Sequence, residues 1–431
     1  MRLMLTTLIS CAILIGSALC LAPAEAQLRG HGGPIRALAI SPDGATALSG
    51  SFDTSAIRWS LRRNTAEQVL RFHEGAVNAV AMLADGRAVT AGEDARIALW
   101  TPGKQEPDGV LEGHRGSIVA LAVSPDAATL ASASWDRTIR LWPISGDAPK
   151  VLGGHQQSVN GVAFTPDGTA VVSVGYDATL RIWPLLGRGS PLVAPLPTPL
   201  NAVAVAPDSD IIAAGADGKV YFMSPAGDQR DTIQASSTPI TSLSISRNGE
   251  FIAAASMSGS IAVIDRRTRA LVRSLVGPGP PVWSVMFFPD NRTLLTGGAD
   301  RMIRRWDSTT GELIGTVTTG GSEDPLAAYA GDPGAQVFRA CVACHTLKPD
   351  EGNRAGPTLH SIFGRRIATL AGYNFSEALK HLDIVWTPET VAKLFEIGPA
   401  TYTPGTKMPE QRIGAPEDRD ALVKFLERAT K

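Results

Sequence analysis

Short stretches of alternating apolar and polar residues fill the chain between residues 30 and 307, for example at residues 35–40 and 138–142. Turn-forming segments separate them, such as Pro42-Asp43-Gly44 and Pro166-Asp167-Gly168. Alternation with a period of two, bounded by turn residues, is typical of half-buried β-strands. The pattern therefore predicts many short strands in this part of the chain.

These strands recur in units of similar length. Trp or an apolar substitute appears at intervals of 40 to 42 residues, at Trp59, Trp100, Trp142, Trp183, Met223, Ile264 and Trp306. Repeats of this length indicate four strands per unit and a closed radial array, because closing the ring removes exposed sheet edges. Seven units predict a seven-bladed all-β propeller over residues 27–317. Either residues 27–29 or residues 312–317 could supply the outer strand of the final unit.

The units resemble WD repeats, as in Gly113-His114 followed by Ser132, Asp136 and Trp142. The resemblance implies a buried, hydrogen-bonded tetrad of His, Ser or Thr, Asp and Trp in each blade. The first four units carry all four residues: His31/Ser49/Asp53/Trp59, His73/Thr90/Asp94/Trp100, His114/Ser132/Asp136/Trp142 and His155/Ser173/Asp177/Trp183. Because these residues recur at fixed offsets, we interpret them as structural and not as a metal or catalytic site.

The last three units depart from this tetrad. Units five and six have Ala213 and Ala254 at the hydroxyl position, and unit seven keeps Thr296, Asp300 and Trp306 without a His. These units are therefore expected to have lost part or most of the network.

The repeat pattern stops after Val317. Residues 318–332 are rich in Gly, Ser, Ala and acidic residues, which predicts a linker. Residues 333–431 have a helical pattern, with predicted helices beginning at Pro333, Pro388 and Pro416. The second domain is therefore predicted to be all-α.

The N-terminal segment has the features of a secretory signal. Arg2 precedes an uncharged, mostly apolar stretch, and Ala24-Glu25-Ala26 matches a small-x-small cleavage pattern. We expect residues 1–26 to be a signal peptide, cleaved after Ala26, and the mature protein to be periplasmic with no membrane span. The alternative is an uncleaved anchor, since about 20 apolar residues can cross a bilayer.

Composition narrows the choice of cofactor and partner. The net charge of −1 provides no bulk attraction to nucleic acid or membranes. The chain has 4 cysteines, and export would remove Cys11 and Cys20. The mature protein would keep one pair, Cys341 and Cys344.

That pair lies in Cys341-Val342-Ala343-Cys344-His345, which is the attachment pattern for c-type haem. Two thiols at this spacing can bond to the two vinyl groups of the haem, and the following His then lies beneath the iron. A redox dithiol is the alternative, but the strand-helix context of thioredoxin-like proteins is missing. We therefore predict one covalent haem c, bound by Cys341 and Cys344, with His345 as an iron ligand.

Met408 is the predicted second iron ligand. It is the last methionine of the chain and follows the attachment pattern in a turn-rich loop, Pro404-Gly405-Thr406-Lys407-Met408. His360 and His381 are the alternatives. His/Met ligation would leave no open position for a substrate, so the haem is expected to relay electrons.

The C-terminal domain resembles class I cytochromes c over nearly its whole length. The segment Gly356-Pro357-Thr358-Leu359-His360 matches the loop whose proline carbonyl, in that family, accepts a hydrogen bond from the ligating His. The resemblance further implies that four residues donate to the haem propionates: Arg365, Tyr373, Trp386 and Thr406.

Two departures from that family matter. The stretch between Trp386 and Met408 is one residue longer than usual, which leaves open whether Leu394 or Phe395 faces Met408. Pro409-Glu410 replaces a usually apolar run and is expected to expose the ligand loop.

Together these features predict a periplasmic carrier of single electrons whose propeller docks a partner protein, with a redox partner at the haem. An enzyme, with a substrate site in the propeller and the haem as electron acceptor, is an alternative. The sequence shows no second haem motif and no clustered carboxylates beyond the tetrads, so a carrier is favoured. A sensor, in which a ligand displaces Met408, is a further alternative.

Overall fold

A computed structural model of the chain describes residues 27–187, 189–276, 281–314, 326–329, 331–338, 341, 345–349, 356–371, 373, 375–404, 406, 408 and 413–431. The predicted signal peptide, Cys344 and the segment 409–412 lie outside these residues. The strands of the described residues form seven antiparallel sheets of four strands each. This architecture confirms the predicted seven-bladed propeller.

Each blade consists of strands that follow one another along the chain, with an exception in blade 7. Blade 1 contains β2 (Ile35–Ile40), β3 (Thr46–Ser51), β4 (Ser55–Ser60) and β5 (Thr65–Arg71), and blade 2 contains β6 (Val77–Met82), β7 (Ala88–Gly92), β8 (Ile97–Trp100) and β9 (Gly109–Leu111). Blade 3 contains β10 (Ile118–Val123), β11 (Thr129–Ser134), β12 (Thr138–Pro143) and β13 (Lys150–Gly153), and blade 4 contains β14 (Val159–Phe164), β15 (Ala170–Gly175), β16 (Thr179–Pro184) and β17 (Leu192–Pro195). Blade 5 contains β18 (Leu200–Val205), β19 (Ile211–Gly215), β20 (Lys219–Met223) and β21 (Gln229–Gln234), and blade 6 contains β22 (Ile240–Ile245), β23 (Phe251–Ser256), β24 (Ser260–Asp265) and β25 (Ala270–Val276).

Blade 7 closes the ring by combining the two ends of the propeller. It contains β26 (Val282–Phe287), β27 (Thr293–Gly298), β28 (Met302–Asp307) and β1 (Gln27–Arg29). Gln27 pairs with Arg304, and Arg29 pairs with Met302. Residues 27–29 therefore form the outer strand, and Leu313 of the other candidate adds an isolated bridge to Trp306 on the same edge. Residues 315–317 of that candidate lie outside the described residues.

The propeller core is a circle of apolar interfaces between neighbouring blades. Among the described residues, seven apolar clusters each draw their side chains from two adjacent blades. Each sheet buries one apolar face against the next blade, so the stability of a single blade depends on its neighbours.

The predicted tetrads are present in blades 1 to 4. In blade 3, His114 Nδ1 lies 2.7 Å from Asp136 Oδ2 and His114 Nε2 lies 2.7 Å from Ser132 Oγ. Trp142 Nε1 donates to Ser132 Oγ at 2.8 Å. Burial raises the pKa of Asp136, but hydrogen bonds from His114 and Thr138 lower it more, so the net pKa lies well below the ordinary value.

Blades 5 and 7 replace the missing histidine with a different donor. Tyr221 OH donates to Asp217 Oδ2 at 2.6 Å in blade 5, and Arg304 forms an ion pair with Asp300 in blade 7. The indole of Trp306 still donates to Thr296 Oγ1 at 2.9 Å. These two networks keep a satisfied carboxylate at the repeat position, which the sequence pattern did not indicate.

Blade 6 has a serine cluster in place of the tetrad. Ser258 stands at the Asp position and its hydroxyl lies 2.8 Å from Ser256 Oγ and 2.9 Å from Ser260 Oγ. The hydroxyl groups therefore satisfy one another where no carboxylate is present.

The C-terminal domain contains short helices joined by long loops. A 3₁₀ turn (Ala327–Tyr329) precedes α1 (Pro333–Phe338), α2 (Glu377–Lys380), α3 (Pro388–Ile397), α4 (Pro399–Tyr402) and α5 (Pro416–Ala429). The starts at Pro333, Pro388 and Pro416 confirm the three predicted helices. None of the helices in the described part of the chain has the length and apolar character needed to cross a membrane.

The core of this domain forms where α1 crosses α5. The rings of Phe338 and Phe425 lie 5.3 Å apart at this crossing. A methyl group at Gly334 would overlap the carbonyl oxygen of Ala421, so the glycine permits the close approach of the two helices.

The predicted linker, residues 318–332, needs a correction at its C-terminal end. Leu326 is 1% exposed in the core of the helical domain, and the Tyr329 ring lies 5.1 Å from the Phe425 ring. Residues 326–329 therefore belong to the helical domain, because their apolar side chains fill its core. Residues 315–325 lie outside the described residues, so the propeller boundary at residue 317 stays a prediction.

Candidate functional site

A cavity of about 410 Å³ lies in the C-terminal domain. Three of the four predicted cofactor-binding residues line it, namely Cys341, His345 and Met408, and Cys344 lies outside the described residues. Its walls are mostly apolar, with Phe338, Leu359, Leu394, Phe395, Leu422 and Leu426 among them. The size and apolar lining are typical of a site for an organic cofactor.

The end of α1 positions Cys341 and His345. The backbone N–H of Cys341 donates to Phe338 O at 2.7 Å, and the N–H of His345 donates to Cys341 O at 2.9 Å. Residues four apart in such a turn lie on the same side of the chain. Both side chains therefore face the cavity, and Cys341 is only 8% exposed.

A hydrogen bond to a neighbouring loop orients the His345 ring. Its Nδ1 donates to the carbonyl oxygen of Pro357 at 2.7 Å. The loop is held beside it by a backbone hydrogen bond from Leu359 N to Thr346 O at 2.9 Å. With the proton on Nδ1, the lone pair of the ring is on Nε2, which is the form that binds a metal. The proline carbonyl expected from the resemblance is thus in contact with His345.

Met408 enters the cavity from a loop that α4 anchors. The Met408 N–H donates to Thr406 Oγ1 at 3.1 Å, and the Thr406 N–H donates to Thr403 O at 3.0 Å. Thr403 is buried, and its hydroxyl donates to Pro399 O at 2.9 Å. This chain of bonds fixes the position of a soft thioether, a ligand type that suits haem iron.

The sequence left alternatives both for the neighbour of Met408 and for the second iron ligand. Leu394 and Phe395 are both buried and both line the cavity, so neither is excluded as the neighbour of Met408. His360 and His381, the fallback ligands, are not among the described residues that line the cavity. His381 is exposed at the end of α2, where it caps the helix.

Polar donors are also present in the cavity wall. The four residues that the resemblance assigns to the propionates all line it: Arg365, Tyr373, Trp386 and Thr406. Arg365 donates from Nη1 to His360 O at 3.2 Å and from Nη2 to Thr358 O at 3.0 Å. Burial lowers the pKa of the Arg365 guanidinium. The cavity therefore suits a largely apolar ligand that has anionic groups at one edge.

The propeller also contributes to this cavity. Asp53, Ser55, Arg71 and Glu106 are among its lining residues. The guanidinium carbon of Arg71 lies 5.0 Å from the centre of the Tyr373 ring. The sequence gives no signal for this role of the four residues, because no local pattern marks a contact between domains.

The residues present fit a haem. The wall supplies a buried thiol, an oriented imidazole and a thioether, together with apolar side chains and guanidinium groups. A β-propeller joined to a small helical domain with this donor set defines a two-domain protein of the cytochrome class.

The comparisons with known proteins agree with both halves of that description. Residues 331–430 match the family model "Cytochrome c". Six segments match the family model "WD domain, G-beta repeat": residues 24–60, 64–101, 105–143, 146–184, 227–265 and 269–307. The chain belongs to the WD domain family over its propeller and to the cytochrome c family over its C-terminal domain.

The interval between the fourth and fifth matched segments contains β18, β19 and β20 of blade 5. In blade 5, Tyr221 donates to Asp217 in place of the tetrad histidine. The blade nevertheless has the same four-stranded sheet as the others. Blade 5 therefore keeps the blade geometry with packing against its neighbours and the Asp217–Tyr221 hydrogen bond in place of the tetrad.

Similar proteins include three cytochromes c. The chain is 44% identical over 99 residues to cytochrome c of Cochliobolus lunatus, a match that covers 23% of this chain and 91% of the relative. It is 44% identical over 99 residues to that of Arabidopsis thaliana, covering 23% of this chain and 88% of the relative. Cytochrome c of Stellaria longipes is 39% identical over 99 residues, with coverages of 23% and 91%. Membership of this family implies that the domain binds haem and carries electrons.

Proposed function

We propose that this protein is a periplasmic c-type cytochrome that carries single electrons through one haem c. The haem would be attached to Cys341 and Cys344, with His345 and Met408 as the two iron ligands. The observation that carries the proposal is the convergence of Cys341, His345 and Met408 on one mostly apolar cavity. A bound haem supplies a one-electron couple at its iron.

The residues of the chain would control that couple in separate ways. Pro357 O accepts the Nδ1 proton of His345, which fixes the ring and increases its basicity. Met408 would supply the second ligand, and a thioether would favour a higher potential than a second imidazole. The buried side chains of Leu394 and Phe395 exclude water from the cavity. If His345 and Met408 both bind the iron, the haem would exchange electrons and would not bind a substrate at the metal.

The test is expression in a host that matures c-type cytochromes. We expect a coloured protein whose intact mass exceeds that of the mature chain by one haem, and acid extraction should not remove the pigment. Cys341→Ser and Cys344→Ser should each leave a single thioether bond, and the double variant should release the haem. Colourless wild-type protein, or haem that extracts freely, would refute the proposal.

Met408 is tested by its spectroscopic signature. Met408→Ala should abolish the sulfur-to-iron charge-transfer band of the oxidised protein and lower the midpoint potential. Met257→Ala is the matched control, because Met257 is 38% exposed on the propeller. A band that survives in Met408→Ala would exclude this ligand.

We further propose that the propeller docks a partner protein. The support is a set of exposed aromatic side chains at one repeat position, directly before the aspartate of the tetrad: Phe52 is 46% exposed, Trp135 48% and Tyr176 42%. These positions lie in the turns between the second and third strands of their blades, and therefore on one face of the propeller. Exposed aromatic residues on a rigid surface are typical of the centres of protein interfaces.

The docking proposal is tested by affinity capture from periplasmic extract with the full-length protein. Combining Trp135→Ala with Tyr176→Ala should weaken retention of the captured partner at least tenfold. Leu186→Ala is the matched control, because Leu186 is 74% exposed near the opposite end of β16. Equal retention by both variants would reject this face as the docking surface.

The proposed location is tested separately. Cell fractionation should recover the protein in the periplasm, and N-terminal sequencing should begin at Gln27. A mature chain that retains residues 1–26 in the membrane fraction would instead support an uncleaved anchor.

A further inference from the structure

Arg71, the last residue of β5, stands where the propeller meets the C-terminal domain. Its side chain lines the cavity, and its guanidinium carbon lies 5.0 Å from the centre of the Tyr373 ring. The Nη2 atom is buried and has no hydrogen-bond partner among the residues that the structure describes. A buried donor of a charged group without a partner is costly and rare in folded proteins.

The carboxylates that line the same cavity do not pair with Arg71. Asp53 accepts hydrogen bonds within its own blade, from His31 at 3.0 Å, from the backbone of Gly32 at 2.6 Å and from Ser55 Oγ at 2.6 Å. Glu106 lines the cavity but is exposed, and no ion pair joins it to Arg71 in the described part of the chain. We therefore expect the hydrogen-bond acceptor for Arg71 Nη2 to come from the ligand of the cavity.

A second guanidinium lies in the same cavity. Arg365 directs two of its nitrogen atoms to the carbonyl oxygens of Thr358 and His360 and pairs with no carboxylate among the described residues. Arg366 also lines the cavity and pairs with Asp383 at 3.4 Å. An apolar cavity with three guanidinium groups selects a ligand that carries negative charge at its edge. Haem has this character, because two carboxylates project from an otherwise apolar ring.

We propose that Arg71 of the propeller binds a carboxylate of the haem held in the C-terminal domain, so that the propeller completes the cofactor site. This inference rests on the haem attachment proposed above. The stacking of Arg71 on Tyr373 holds the guanidinium at the cavity edge before the haem is bound. Because Arg71 adds positive charge beside the haem, it stabilises the reduced, more negative state.

The readout is the midpoint potential of the full-length, haem-loaded protein, measured by spectroelectrochemistry. Arg71→Gln should lower the equilibrium constant for reduction at least threefold, which is about 28 mV when tenfold corresponds to ~59 mV for one electron. Arg71→Lys keeps the charge but not the planar fork, so its shift should be smaller.

Arg29→Gln is the matched control. Arg29 lies two residues before His31, as Arg71 lies two residues before His73, but it is exposed and donates to Gln27 Oε1 at 3.1 Å. Its replacement should leave the potential unchanged. Thermal melting and the visible spectrum of each variant report whether the fold and the haem ligands are retained.

Each outcome decides between the two proposals. If Arg71→Gln, loaded with haem and normally folded, has the wild-type potential, the role of Arg71 is refuted and the haem attachment stands. If Arg71→Gln does not load haem, the other two variants decide. A wild-type potential in Arg71→Lys, together with normal haem loading by Arg71→Leu, would refute the role of Arg71. Colourless wild-type protein would overturn the haem attachment and this inference together.

Discussion

Replacing Asp136 by alanine should destabilise the propeller strongly. The carboxylate accepts four hydrogen bonds, from His114 Nδ1 at 2.7 Å, Arg115 N at 2.9 Å, Thr138 N at 2.9 Å and Thr138 Oγ1 at 2.6 Å. The side chain is only 10% exposed. Removing one partner of such a buried network leaves the others unsatisfied, which costs about 3 to 5 kcal/mol.

The effect should depend on pH in a defined direction. Folding lowers the pKa of Asp136, chiefly because hydrogen bonds from His114 and Thr138 outweigh its burial. A carboxyl group with a lowered pKa contributes fully above its unfolded pKa of about 3.9 and loses that contribution as the pH falls through its folded pKa. The difference in unfolding free energy between wild type and Asp136→Ala should therefore be smaller at pH 3 than at pH 7.

The assay is urea denaturation of the full chain, followed by the circular dichroism of the strands at both pH values. Asp217→Ala is the matched control, because Asp217 holds the same repeat position in blade 5. Within the described residues its carboxylate accepts two hydrogen bonds, from Lys219 N at 3.1 Å and Tyr221 OH at 2.6 Å, and has an ion pair with Lys219 at 4.0 Å. Its loss should cost about 1 to 2 kcal/mol. Equal effects of the two substitutions, or a larger effect of Asp136→Ala at pH 3, would contradict the network argument.

Three further outcomes are expected. Gly334→Ala should destabilise the helical domain by about 1 to 3 kcal/mol in thermal melting, because the added methyl group overlaps the carbonyl of Ala421. An unchanged melting temperature would show that α1 and α5 separate easily. Thr387→Ala should cost about 1 kcal/mol in the same assay, because it removes the cap that accepts from Thr390 N at 3.2 Å. Carbon monoxide should bind slowly to the reduced protein if Met408 is a ligand, whereas rapid binding measured by stopped flow would favour the sensor alternative.

The sequence predicted most of the propeller because its signals are local and repeated. Alternating strands, turn segments and a tryptophan at regular intervals together specify seven blades, and His114, Asp136 and Trp142 form the contacts that their spacing indicates. The helix starts at Pro333, Pro388 and Pro416 were predictable for the same reason, since the conformational restriction of proline acts within one turn.

The remaining features depend on residues that are distant in sequence. Tyr221 and Arg304 replace histidine from their own strands, at positions where the repeat has no fixed residue. The burial of Leu326 against the helical core cannot be deduced from a segment whose neighbours are Gly, Ser and Asp. The approach of Arg71 to Tyr373 depends on how two domains meet, and neither domain alone carries a signal for it.

The pairing of β1 with β28 has a consequence for biogenesis. β1 is synthesised before its partner β28 and can pair with it only after the seventh blade has emerged, so until then the pairing edges of both strands have open hydrogen-bonding groups. Two nascent chains held close together could exchange these strands and become interlocked dimers. A protease that removes Gln27–Arg29 would delete this strand and leave residues 302–304 of β28 without their outer partner, so these three residues protect the edge of blade 7 from association with other chains.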